Sequence, residues 1–99
     1  YIEFPPEDLM REIVFVHFPT IEQKLLDELL ARFYWIRSLD GIRKKPSTSE
    51  LLDWAQAMML SGTPPEVIAE RVPFLGVLMK KEHDHEYVSS VESSYRRNR

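Results

Sequence analysis

The sequence contains no cysteine, so neither a disulfide nor a thiolate-bound metal can staple it, and packing has to supply its stability. Glycine is scarce: Gly41, Gly62 and Gly76 are the whole supply, and no G-x-x-x-x-G-K-[ST] phosphate loop occurs. No apolar run approaches the roughly 20 residues that span a bilayer, and the opening Tyr1-Ile2-Glu3-Phe4-Pro5 has neither a basic region nor a signal-like apolar stretch. A soluble, cytoplasmic protein is therefore expected. Basic charge is also short. Arg96, Arg97 and Arg99 close the chain, and residues 1–95 carry ten basic against sixteen acidic side chains, a net −6 that argues against a broad nucleic-acid surface.

What is present is enough apolar material for one small core: 43% of the 99 residues are hydrophobic and 11% aromatic. Tyr1 to Phe4 alternates apolar and polar residues until Pro5-Pro6 stops it, which reads as the end of a strand whose partners lie in a longer protein. A helix follows over about Pro6–His17, with Glu7 and Asp8 suited to its positive end. Leu9, Ile13 and Val16, with Met10, Val14 and Phe18 beside them, are its expected buried stripe. Pro19 ends it.

Thr20 and Gln23 have capping-box spacing, and Ile21, Leu25, Leu29, Phe33 and Ile36 recur at helical intervals over about Ile21–Ser38. Asp40-Gly41 is a turn signal. It leads into Ile42-Arg43-Lys44-Lys45-Pro46, and Ser47 with Glu50 forms a further capping box that opens a helix over about Thr48–Leu60. Gly62 marks its end, Thr63-Pro64-Pro65-Glu66 starts a short helix to about Arg71, and Pro73 separates that from a last helix beginning near Phe74. Only the first half of this last helix is expected to be buried. From Ser89 onward the segment reads as a frayed tail.

The resulting expectation is an all-α bundle of four or five helices with a remnant N-terminal strand: residues 1–88 form the domain, and 89–99 a flexible tail. Arg43, Lys44 and Lys45 stand just ahead of a helix whose free N–H groups and dipole favour negative charge, so this corner is the candidate anion-facing site.

Other constellations carry less. His83, Asp84, His85 and Glu86 are metal-capable types, but adjacent helical residues point about 100° apart and only pairs spaced by three or four meet, so a solvated charged face is expected. The paired carboxylates Asp27 with Glu28 and Glu66 with Glu70 read as exposed helix faces, and the serines read as caps, so no catalytic residue is assigned. Trp35 and Trp54, at helical spacing with leucines, read as core. The tail arginines read as solvated. The segment Ser61–Val72 superficially matches a helix-turn-helix, but the helix after it begins with Phe74-Leu75-Gly76-Val77-Leu78, apolar where a base-reading helix needs polar side chains.

Taken together, the basic loop, the run Pro-Ser-Thr-Ser-Glu-Leu-Leu-Asp-Trp at 46–54 and Pro-Phe-Leu-Gly-Val-Leu-Met-Lys-Lys at 73–81 resemble the C-terminal helical lid of MoxR-type AAA+ ATPases. The resemblance covers roughly residues 1–88 and implies that residues 1–5 are the last strand of an ATPase core. It implies that ATP and Mg²⁺ are held by an N-terminal domain, and that this segment alone holds no cofactor and does no hydrolysis. It implies neighbouring subunits of a ring as partners, a von Willebrand factor A domain protein as a further one, and neither nucleic acid nor membrane. Such lids carry a sensor arginine near the start of the helix facing the nucleotide. Here Ser49 takes that place, and Arg43, Lys44 or Lys45 is expected to supply the charge. A free-standing helical interaction domain is the alternative from another class, and a helix-turn-helix a more remote one.

Overall fold

The computed structural model describes the backbone of residues 4–97 and the side-chain surroundings of residues 4–92. Every regular element in that range is helical: α1 (Glu7–His17), α2 (Gln23–Arg37), α3 (Thr48–Ser61), α4 (Pro65–Glu70), α5 (Leu75–Leu78) and α6 (Glu82–Arg97). The all-α expectation holds. The remnant strand at 1–5 is partly beyond reach: residues 1–3 lie outside the described range, and Phe4 and Pro5 have no regular structure.

The long amphipathic helix α2 is the centre of the bundle, with Leu25, Leu26, Leu29, Leu30, Phe33 and Ile36 buried. It packs against α1 on one side and α4 on another, while α3 packs on α5. Leu51, Trp54, Ala55 and Met58 of α3 complete the core with Met10, Val14, Ile68 and Leu78. The indole N–H of the fully buried Trp54 donates to the carbonyl of Pro73 at 2.7 Å, so this aromatic fills the centre without leaving a polar atom unpaired.

Local chemistry explains the ends. Ser47 caps α3: its hydroxyl accepts from the Glu50 amide, and the Glu50 carboxylate accepts from the Ser47 amide at 2.8 Å. Gly62 ends the same helix in the left-handed region at φ 68°, where a side chain is disfavoured. Arg32 of α2 donates to the carbonyls of Ile68 and Ala69, satisfying the end of the short α4.

Several expectations are corrected. Leu9 and Val16 of α1 are 46% and 79% exposed, and of the expected stripe Met10 and Val14 are the fully buried members, because α2 meets α1 on that side. The Thr20 and Gln23 box is not formed: α2 starts at Gln23, with Glu22 before it and no side-chain cap. The expected single last helix is two, broken at Met79–Lys81. The segment expected to fray from Ser89 is helical to Arg97, with Glu92 buried.

Candidate functional site

The basic corner is built from three pieces: the C-terminal end of α2, the connection 38–47 and the start of α3. Ile42 and Pro46 are buried, anchoring the connection at both ends, while Arg43, Lys44 and Lys45 between them are exposed. Arg37, in the last turn of α2, holds the far end by donating to the carbonyl of Pro46. Its guanidinium also lies 3.4 Å from the centre of the Phe4 ring, so the N-terminal segment, α2 and the start of α3 meet at one side chain. Burial is the cause that lowers the Arg37 pKa, with the nearby Tyr34 acting in the opposite sense. The phenol of Tyr34 donates to Pro5 at 2.7 Å, and burial raises its pKa.

Four residues were expected to face an anion, and the structure divides them. Lys45 is committed elsewhere: its ammonium donates to the carbonyls of Arg37 at 2.6 Å and Leu39 at 3.2 Å, which closes the end of α2. Arg43 and Lys44 are exposed, and neither side chain has an ion-pair partner among the described residues. Ser49 is exposed in the first turn of α3, where backbone N–H groups lack intrahelical acceptors. Arg43, Lys44 and Ser49 therefore remain at this edge, and Lys45 leaves it.

The residue that the sequence pattern concealed is Asp84. It is 1% exposed, and its two carboxylate oxygens accept from the backbone amides of Arg43 at 2.7 Å and Lys44 at 3.0 Å. Burial works against its ionisation. The two amide hydrogen bonds, helped by the charges of His83 and Arg43, outweigh burial and hold its carboxyl below the usual range. The connection that looked ready to receive an external anion thus has its amides filled by an internal one. Tyr87, one turn on, lays its ring directly against Gly41, where an added Cβ would stand 2.3 Å from the ring.

Elsewhere the chemistry is sparse. Asp84 turns inward while His83, His85 and Glu86 are exposed, and no group of three or more potential metal ligands occurs among the described residues. Two open grooves, of about 230 Å³ beside Arg32 and Trp35 and about 380 Å³ between Ile21, Met58 and Pro64, lie on other faces. The helix that a helix-turn-helix would place in a DNA groove is α5, a single turn with Leu75 and Leu78 buried. No helix among the described residues is long and apolar enough to cross a membrane. No protein-family model, curated protein or solved structure matches the chain.

Proposed function

We propose that this chain serves as the helical lid of a MoxR-like AAA+ ATPase, with Arg43, Lys44 and the first turn of α3 forming its edge toward the nucleotide. The observation that carries the reading is the placement of two exposed cations, with no ion-pair partner among the described residues, just ahead of a capped helix N-terminus. Both the charges and the helix dipole favour phosphate at that corner. The bundle around it is small and all-helical, as a lid must be.

In this reading the chain binds no nucleotide alone. Its sequence has no G-x-x-x-x-G-K-[ST] loop, and no group of three or more potential metal ligands occurs among the described residues; ATP, Mg²⁺ and hydrolysis are assigned to a companion domain. The lid's part is to add positive charge at the terminal phosphate and to move as that charge partner comes and goes. The exposed Leu9 and Val16 on α1 give it an apolar face for the companion domain or a neighbouring ring subunit. A cytoplasmic, chaperone-like remodeller, working with a von Willebrand factor A domain partner, is the setting this implies.

The test is Arg43→Ala, alone and with Lys44→Ala, in the full-length parent. Losing a charge-assisted contact to phosphate is expected to lower ATP turnover by about ten- to a hundredfold. Unaltered affinity and turnover in the double variant would remove this corner from the site. A free-standing interaction domain is the competing reading, favoured by the same exposed face on α1. A gene that encodes a P-loop domain upstream of Tyr1 decides for the lid, and a start codon near Tyr1 decides against it.

A further inference from the structure

The inward face of α6 is unlike that of any other helix in the bundle. Among the described side chains of α6, which end at Glu92, the buried ones are Asp84, Val88 and Glu92, spaced by four, so in that part of the helix a single valine sits between two carboxylates. Each carboxylate reaches a connection, not a helix. Asp84 accepts from the amides of Arg43 and Lys44, and Glu92 accepts from the amide of Val72 at 3.0 Å. Tyr87, half-buried against Gly41, adds a contact to the first of these connections. By contrast, α2 buries six apolar side chains. Among the described residues the extensive helix pairings are α2 with α4, α3 with α5 and α1 with α2.

The segment before α6 is suited to bending. Met79 is 3% exposed and stays anchored beside α5, whereas Lys80 and Lys81 are exposed and lie outside any helix. Rotation there would lift α6 without disturbing α5.

We propose that α6 is a releasable strap, held to the bundle by two carboxylate-to-amide pins, and that its detachment frees the 41–45 connection bearing Arg43 and Lys44. Hydrogen bonds of this kind are directional and exchangeable with water, so they break as units, while apolar burial over a whole helix face does not. The charged groups around the first pin are Asp84 itself, Arg43 and His83, and they hold it closed while the carboxylate is ionised. Docked, the strap fixes the basic connection against the bundle. Released, it leaves that connection tethered by the buried Ile42 and Pro46 and by the Lys45 and Arg37 contacts at its ends. The strap is a property of the chain itself and goes beyond the ATPase reading.

Native-state amide exchange on the full chain, without nucleotide, tests this directly. In the wild type, the α6 amides and those of Arg43 and Lys44 are expected to exchange together, through an opening that leaves the α2 and α3 amides protected. Asp84→Asn keeps the shape and removes the charge. It is expected to speed exchange at Arg43, Lys44 and α6 by about ten- to a hundredfold, with Leu26 to Leu30 unchanged. Glu92→Gln should do the same at Val72 and α6. Exchange of α6 in the same cooperative step as α2 in the wild type would overturn the proposal, and that measurement stands even if a variant does not fold. An Asn variant whose α6 protection equals the wild type's would also overturn it. With no nucleotide present, either result leaves the lid assignment to be judged separately.

Discussion

Asp84 couples charge, burial and backbone at a single position, and its energetics have a definite sign. Two hydrogen bonds to an ionised acceptor contribute about 1.5–3 kcal/mol each before the desolvation cost is subtracted, so Asp84→Ala is expected to cost about 2–3 kcal/mol. Because the folded-state pKa lies below the unfolded value, near 3.9, this contribution is fully present above that value and is lost as pH falls through the lowered one. Acid titration of stability should therefore show a steep arm below about pH 4 in the wild type and a shallower one in Asp84→Asn. Equal arms would mean that the carboxylate contributes nothing. Phe74 shows a different balance. It occupies the left-handed region at φ 55° and ψ 38°, at a cost of about 1–2 kcal/mol, while it remains 47% exposed. Phe74→Gly is expected to relieve this strain with little loss of core packing.

At the scale of elements, α3 was readable and α6 was not, for reasons that lie in their residues. Ser47 and Glu50 announce the start of α3 through side-chain chemistry that acts locally, and Gly62 announces its end through a backbone angle that is also local. Local rules suffice there, so its extent agrees with the expected one to a residue. Ser47→Ala should cost about 1 kcal/mol, lowering the thermal midpoint by about 4–8 °C in a domain of this size. A drop of under a degree would show the box to be redundant with packing. In α6 the buried stripe is Asp84, Val88 and Glu92, and an apolar periodicity search registers only the middle one. What makes the stripe a buried face is three backbone amides, 41, 40 and 20 residues away, which no local pattern contains. Lys45 was misplaced for the same reason. Its sequence neighbours suggest an anion-facing cation, while its actual acceptors are the carbonyls that end α2.

For the molecule as a whole, the proposed lid role requires a surface that meets a companion domain or ring neighbour, and α1 supplies the sharpest test of that proposal. Its Met10 and Val14 complete the core, but Leu9, Phe15 and Val16 remain 46%, 43% and 79% exposed. The helix was expected to bury Leu9 and Val16, and the pattern was ambiguous because Leu9, Met10, Ile13, Val14 and Val16 spread over about half its circumference, wider than the face that α2 covers. A periodicity can then show that a helix is amphipathic without showing which stripe faces inward; here the position of α2 decides. Val16→Asp separates the two remaining meanings of that exposure. Val16 is almost fully solvated in the chain by itself, so the change should shift the stability of the isolated chain by no more than about 0.5 kcal/mol. In a full-length ring ATPase the same aspartate would be pressed against an apolar partner, at a cost of several kcal/mol for an unpaired buried charge. The expected outcome is an unchanged thermal midpoint for the isolated chain together with a smaller assembly, by sedimentation, or a less active one for the parent. Unchanged assembly and turnover in the parent would make α1 an ordinary solvent face and move the search for the contact surface to the Arg43 edge of the bundle.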